Sequence, residues 1–130
     1  LHGSGLDEAA VHGTTEIAEL KEDGTIERST LTPADLGAKR LYSIEEIKGG
    51  APADNALITE AILAGKGTEA QQAFVTANLA LLLKIGGLAK SLPEAVELAR
   101  RTMASGKGLE VLNAHRAYAA SHTASSQKAA

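Results

Sequence analysis

The chain lacks cysteine altogether and has few aromatic residues, which make up 2% of its 130 residues. Without cysteine there can be no disulfide, no thiolate metal site and no cysteine nucleophile. With so few aromatic rings, the hydrophobic residues, 44% of the chain, must form a core mainly from Leu, Ile, Val and Ala. At this length a single domain is expected.

Long apolar runs and an excess of positive charge are also missing. No run reaches the roughly 18 residues that a membrane span needs, and the longest candidate, 74–85, is interrupted by Thr76, Asn78 and Lys84. The formal net charge is −3, whereas nucleic-acid binders usually carry a basic face. With no signal peptide visible, we expect a soluble, cytoplasmic protein whose partner is a small molecule or another protein chain.

Turn and capping residues predict a hairpin followed by helices. Asp23-Gly24 divides the stretch 15–31 into two strand-like halves, which indicates a β-hairpin. Thr32-Pro33-Ala34-Asp35 predicts one helical turn that ends at Gly37. Caps, capping boxes and terminal glycines then predict helices over 44–48, from 52–55 to near 65, from 69 to 86, from 92 to 105, and around 109–118.

The predicted elements do not form a complete fold by themselves. A hairpin alone has too few strands for a stable sheet, and Leu1-His2 resembles the end of a further strand. The helix over 74–85 is apolar around most of its circumference, so it should have neighbours on every side. We therefore expect further residues upstream, and a frayed tail over 121–130, where Ala, Ser, Thr, Gln and Lys dominate.

Asp7 and Glu8, the acidic pair, stand next to each other shortly after Gly3 and Gly5. Adjacent acids are common at helix N-termini and in solvated turns, so that interpretation is kept open. The alternative depends on the glycines, which let a strand turn sharply so that both acids approach one point beyond its carboxyl end. Mg²⁺ commonly binds one or two carboxylates and completes its shell with water and phosphate oxygens.

Other motifs indicate less. His2 and His12 flank the acidic pair without a metal-binding spacing, so surface or supporting roles are favoured, and His115 and His122 are given no role. The stretch 65–68, Gly-Lys-Gly-Thr, lacks the Ser or Thr that follows lysine in a phosphate loop, and is better interpreted as a helix end followed by a capping box. No serine has the setting of a nucleophile elbow.

Taken together, five parts of the chain resemble the C-terminal third of the anthranilate phosphoribosyltransferase family. They are 2–8 (HGSGLDE), 15–20 (TEIAEL), 31–37 (LTPADLG), Gly49-Gly50 with Asn55, and 62–65 (ILAG) with Asn78. The resemblance covers roughly 1–115 and implies an α/β fold of the nucleoside phosphorylase and phosphoribosyltransferase type. The chain would be the C-terminal part of the larger domain over 1–120, with a strand end, a β-hairpin and several helices, then a flexible tail over 121–130.

The resemblance also implies a function for the full-length chain. The family, which acts in tryptophan biosynthesis, transfers the phosphoribosyl group of phosphoribosyl pyrophosphate (PRPP) to the anthranilate amine and releases pyrophosphate. It implies that Asp7 and Glu8 bind Mg²⁺ against that pyrophosphate. The family's glycine-rich PRPP loop and its anthranilate-binding arginine would lie upstream of Leu1, so we expect the segment alone to bind PRPP poorly and to be inactive. A homodimer is implied for the full-length chain, through a helical domain that the matching region lacks.

Two other interpretations stay open. The first is a relative on the same scaffold: a nucleoside phosphorylase, or a protein that has lost the reaction and binds nucleic acid, which the acidic charge balance disfavours. The second is a non-catalytic helical module in which the acidic pair is a capped turn and the helix over 74–85 docks on a partner chain.

Overall fold

The computed structural model describes residues 1–127, and the side chains of residues 1–122. The elements in chain order are β1 His2–Gly3, β2 Thr15–Leu20, β3 Ile26–Leu31, α1 Ile44–Ile47, α2 Pro52–Leu63, α3 Glu69–Ile85, α4 Leu92–Ala104 and α5 Lys107–Gln127. Over this described range, no helix is long and apolar enough to cross a membrane. The mixture of a small sheet with helices confirms the predicted α/β class.

The strands form an antiparallel sheet in the order β1, β2, β3. In the hairpin, Thr15 lies opposite Leu31 and Leu20 lies opposite Ile26, so the predicted hairpin is confirmed. The further strand expected around Leu1-His2 is also present, as β1. Only Thr15 is buried in β2 and β3; the far end of the hairpin therefore projects away from the core.

The helix starts follow the predicted caps, with one difference. At α3 the Gln71 N–H donates to Thr68 Oγ1 at 3.2 Å and the Thr68 N–H donates to Gln71 Oε1 at 3.0 Å, which confirms the capping box. At α4 the Glu94 N–H donates to Ser91 Oγ, but the Glu94 carboxylate accepts from the Lys90 N–H at 2.8 Å. The acid therefore caps the residue before the N-cap, and the second predicted box is only half formed.

Small residues let the helices approach closely around α3. One core cluster joins α3 to the segment after the acidic pair, and its buried members are Ala9, Val11, Leu36, Tyr42, Ala70, Ala77 and Leu81. A second cluster joins α3 to α4 through Ala80, Ala89, Ala95, Val96 and Ala99. Helix α3 is therefore central, as predicted. It does not have neighbours on every side within the described residues, because Leu82 and Ile85 are 68% and 79% exposed.

Two further predictions concern short or terminal segments. The turn after β3 is present: Thr32 N–H donates to Asp35 Oδ2 at 2.8 Å, and Ala38 N–H donates back to Pro33 O at 2.9 Å. Helix α5 continues to Gln127, and the flexible tail over 121–130 stays a prediction. Residues 128–130 of the predicted tail lie outside the described residues.

Candidate functional site

The acidic pair follows a tight turn at the end of β1. Gly3 and Leu6 exchange both backbone hydrogen bonds, with N···O distances of 3.0 and 3.2 Å. Between them Ser4 and Gly5 have φ angles of 50° and 99°. Positive φ at both central positions is the requirement of a type I′ turn, which matches the twist of paired strands. The sharp turn predicted from the glycines is therefore confirmed, and it leads directly into the acidic pair.

The turn is fastened to the residues that precede β2. The Ser4 hydroxyl donates to the Thr14 carbonyl oxygen at 2.9 Å, and Nε2 of His12 lies 3.2 Å from the Ser4 carbonyl oxygen. Because a carbonyl oxygen only accepts, Nε2 carries the hydrogen in this contact. The other ring nitrogen, Nδ1, is buried and has no hydrogen-bond partner among the described residues. His12 thus supports the turn, in keeping with the supporting role considered for it.

The chain directly beyond the acidic pair is buried, and its backbone is bonded to three distant parts of the fold. Ala9, Ala10 and Val11 are each 0% exposed, so their backbone groups need partners inside the protein. Ala9 N–H donates to Asn78 Oδ1 at 2.9 Å, and Ala10 N–H donates to Thr15 Oγ1 at 2.9 Å. The Val11 carbonyl accepts from the backbone N–H of Tyr42 at 3.0 Å. The acidic pair therefore lies between two anchored segments.

Gly3 provides the space in which these two segments meet. A Cβ atom at this position would lie 2.1 Å from the Glu8 carbonyl oxygen and 2.6 Å from the Ala10 nitrogen. Both are backbone atoms, so neither can move aside as a flexible side chain could. The backbone of Glu8 is consequently held directly against β1.

The carboxylates of the acidic pair remain available. Both residues are exposed, and neither carboxylate has a hydrogen bond or an ion pair with any residue in the described part of the chain. Two unpaired hard oxygen donors on a fixed loop suit Mg²⁺. No group of three or more His, Asp or Glu residues that could hold a metal occurs within 1–127. A metal bound here would therefore take its remaining ligands from water, from a substrate or from residues outside this range.

A groove of about 450 Å³ begins at Glu8 and runs along the uncovered side of α3. Its lining is mostly apolar and includes Leu63, Phe74, Val75, Asn78, Leu79, Leu82 and Met103. The acidic pair thus stands at the rim of an apolar surface, and Asn78 is a polar side chain inside that surface.

The remaining sequence motifs have structural roles. The Gly65 and Lys66 N–H groups donate to the carbonyls of Ile62 and Ala61, at 3.0 and 2.7 Å, and so end α2. Thr68 begins α3, so the segment 65–68 is a helix end and a cap, as interpreted from the sequence. His122 stacks on Tyr118 with the ring centroids 4.0 Å apart, well along α5.

Comparison with known proteins adds to this geometry. The model of the glycosyl transferase family, a/b domain, matches residues 1–109. The chain belongs to this family. A relative from Tolumonas auensis, an anthranilate phosphoribosyltransferase, is 54% identical over 109 residues, which are 84% of this chain and 32% of the relative. A Shewanella putrefaciens relative of the same name is 52% identical over 113 residues, 87% of this chain and 32% of the relative.

A solved structure has the same fold as this chain. The crystal structure of anthranilate phosphoribosyltransferase from Thermus thermophilus matches with a TM-score of 0.80 and 30% identity. The match covers 90% of this chain and 34% of that one. The chain therefore spans about a third of the length of the relatives it matches. The resemblance predicted from the sequence is confirmed, together with its fold.

Sequence reasoning found the acidic pair but not the residues that hold it. Asn78 entered only as part of the resemblance and as an interruption of an apolar run, and Thr15 entered only as part of the resemblance and as the first residue of a strand. A polar residue in the middle of an apolar helix could have been noted as a buried hydrogen-bonding group. Its partner, Ala9, could not have been identified, because the two are 69 residues apart in the chain.

Proposed function

We propose that this chain forms the metal-binding third of an anthranilate phosphoribosyltransferase. The longer protein would transfer the phosphoribosyl group of PRPP to the anthranilate amine, release pyrophosphate, and act in tryptophan biosynthesis in the cytoplasm. The observation that carries the proposal is the acidic pair. Two exposed carboxylates, which have no partner in the part of the chain that the structure describes, lie on a loop anchored on both sides. The chain is 54% identical to a relative of that name.

In this proposal Asp7 and Glu8 hold Mg²⁺. The ion would neutralise the negative charge that develops on pyrophosphate as it leaves the ribose. The other residues of this chain fix the location of the acidic pair. The turn at Ser4-Gly5 sets the direction in which the pair leaves β1, and the buried segment Ala9–Val11 keeps the backbone of the pair from shifting. A fixed charge arrangement is effective because it need not reorganise during the reaction. The amine of anthranilate can attack the ribose directly, without a nucleophile from the protein.

The proposal assigns only part of the site to these residues. The family resemblance puts the contacts to the rest of PRPP and to anthranilate in residues outside this chain. We therefore expect the 130-residue chain to show no turnover by itself. The homodimer expected for the full-length protein belongs to the same proposal.

The test uses a hybrid protein, in which this chain replaces the matching residues of the Tolumonas auensis relative. Turnover is followed as the loss of anthranilate fluorescence on addition of PRPP and Mg²⁺. We expect turnover by the hybrid protein and by the parent relative. The 130-residue chain and the parent with its matching region deleted should give none. A folded but inactive hybrid protein beside an active parent would contradict the proposal.

A non-catalytic interaction module is the second candidate, favoured by the exposed apolar side of α3. In that case the groove between Glu8 and Met103 would bind a partner chain, and the acidic pair would be a solvated turn. The hybrid protein separates the two candidates. An interaction module would not restore turnover when joined to the rest of the Tolumonas auensis relative, and its binding to a partner would not depend on Mg²⁺. A phosphorylase-like relative would instead consume a nucleoside and phosphate and would leave the anthranilate fluorescence unchanged.

A further inference from the structure

Asn78 connects the middle of helix α3 to the residue that follows the acidic pair. Its Oδ1 accepts from the Ala9 N–H at 2.9 Å, and its Nδ2 donates to the Ala9 carbonyl oxygen at 3.2 Å. The same Nδ2 donates to the Phe74 carbonyl oxygen, one helical turn earlier, at 2.9 Å. The amide group is therefore oriented by the helix itself, and it pairs with both backbone groups of one residue.

The position of Ala9 makes these bonds consequential for the carboxylates. Ala9 is completely buried, so water cannot replace a lost partner for its N–H or its carbonyl. On the other side, the Glu8 carbonyl oxygen lies against Gly3. A loss of pairing at Ala9 would therefore be relieved by movement of the exposed residues that directly precede it, which are the acidic pair.

We propose that Asn78 is a positioning residue that fixes the Asp7 and Glu8 carboxylates relative to helix α3 and so sets the metal affinity of the site. This inference rests on the proposed function, because it assumes that the acidic pair binds Mg²⁺. Asn78 itself need not touch metal or substrate; it acts through Ala9.

A second asparagine in the chain gives a matched control. Asn55 Oδ1 accepts from the Gly50 N–H at 2.8 Å, and Asn55 Nδ2 donates to the Gly50 carbonyl at 3.1 Å. The bonding pattern is the same as at Ala9, but it closes the loop before α2. Replacing Asn55 removes a pair of hydrogen bonds with the same pattern, at an exposed site, and leaves the contacts of the acidic pair unchanged.

The experiment compares Asn78→Ala, Asn78→Leu and Asn55→Ala in the hybrid protein. The leucine variant keeps side-chain volume without any hydrogen bond, in case the alanine variant leaves a cavity that prevents folding. The readouts are the Mg²⁺ concentration for half-maximal turnover, kcat at saturating Mg²⁺, and hydrogen exchange of the Ala9 amide. We expect both Asn78 variants to raise the half-maximal Mg²⁺ concentration about tenfold, the order expected when such a hydrogen-bond pair is lost. The Ala9 amide should exchange faster in both Asn78 variants. Asn55→Ala should change neither the half-maximal Mg²⁺ concentration nor the exchange of the Ala9 amide.

Each other outcome contradicts the inference at a definite point. An unchanged Mg²⁺ requirement in an active Asn78 variant whose Ala9 amide exchanges faster would overturn the positioning role. An equal shift in Asn55→Ala would mean that general loosening is responsible, which overturns it as well. If the unsubstituted hybrid protein has no turnover while the parent relative is active, the proposed function fails first and the inference fails with it.

Discussion

Two pairs of neighbouring acidic residues lie beside glycine turns in this chain, and they differ in how their carboxylates and backbone are bonded. Asp7-Glu8 follows the turn at Gly5, and Glu22-Asp23 precedes Gly24 in the hairpin. Asp23 is bound locally: its Oδ1 accepts from the backbone N–H of Thr25 at 2.9 Å and from its hydroxyl at 2.7 Å. These bonds, the hydroxyl's above all, hold the pKa of the Asp23 carboxyl below its ordinary value.

The first pair shows the opposite arrangement. Its carboxylates bind no other group within the described residues, whereas the backbone around it is held by contacts from Asn78 and Tyr42 far along the chain. In the hairpin, the carboxylate itself is used to make the turn. Around β1 the turn is made by backbone bonds and distant side chains, which leaves both acids available. The difference indicates that a binding loop can be recognised by its unpaired side chains on an anchored backbone.

The largest expected effect is on catalysis and compares the two pairs directly. In the hybrid protein, Asp7→Asn with Glu8→Gln should lower turnover roughly a hundredfold or more, since metal stabilisation of a leaving group contributes several kcal/mol. Glu22→Gln with Asp23→Asn removes the same charges from the hairpin and should leave turnover unchanged. Turnover is measured against Mg²⁺ concentration for both. Equal losses in the two variants would remove the distinction between the pairs.

The next effect concerns the close approach at Gly3. Gly3→Ala should lower the free energy of unfolding by about 3 kcal/mol, because the added methyl meets backbone atoms of Glu8 and Ala10. Gly24→Ala is the control in the hairpin, where φ is +84° and nothing lies within 4 Å of the new methyl group. It should cost only the strain of a left-handed residue, roughly 1–2 kcal/mol. Urea unfolding of the hybrid protein measures both, and a larger loss for Gly24→Ala would contradict the expected order.

A smaller effect is expected at Thr15, whose hydroxyl accepts from the Ala10 N–H. Thr15→Val keeps the shape but leaves that buried N–H without a partner, which should cost about 2 kcal/mol. Thr15→Ser keeps the acceptor and loses one methyl group, which should cost about 1 kcal/mol. Hydrogen exchange at Ala10 distinguishes the two variants, because only the valine variant should lose protection. Protection that survives in Thr15→Val would show that another group pairs with Ala10.

The smallest effect concerns Glu46, whose carboxylate, like that of Asp23, bonds to residues nearby in the chain. Glu46 accepts from the Ser43 N–H at 2.8 Å and pairs with Arg40 at 2.6 Å, and the Arg40 hydrogen bond is the main cause that lowers the pKa of Glu46 to about 2. Because the folded pKa lies below the ordinary value of 4.5, its stabilisation is present above that value and is lost as the pH falls towards about 2. Glu46→Gln should therefore flatten the loss of stability over this range. An unchanged acid unfolding profile would contradict the assignment.

Much of the secondary structure could be predicted from local sequence. Asp23-Gly24 indicated the hairpin, and Thr68 with Gln71 indicated the start of α3, because turns and caps depend on residues within one helical turn of each other. The half-formed box at Ser91 and the extension of α5 to Gln127 could not be predicted. In both places several local arrangements are close in energy, so sequence preference alone does not choose between them.

The sequence by itself determined the turn at Ser4-Gly5, the acidic pair after it and the family to which the chain belongs, since these are written in adjacent residues or in a chain-long resemblance. Only the tertiary structure decided that both carboxylates stay unpaired among residues 1–122 and that Ala9–Val11 is buried beneath α3. It also decided that Asn78, 69 residues from Ala9, holds the loop. The physical reason is that packing α3 against this segment removes water from its backbone, and the polar groups must then find partners wherever the fold brings them.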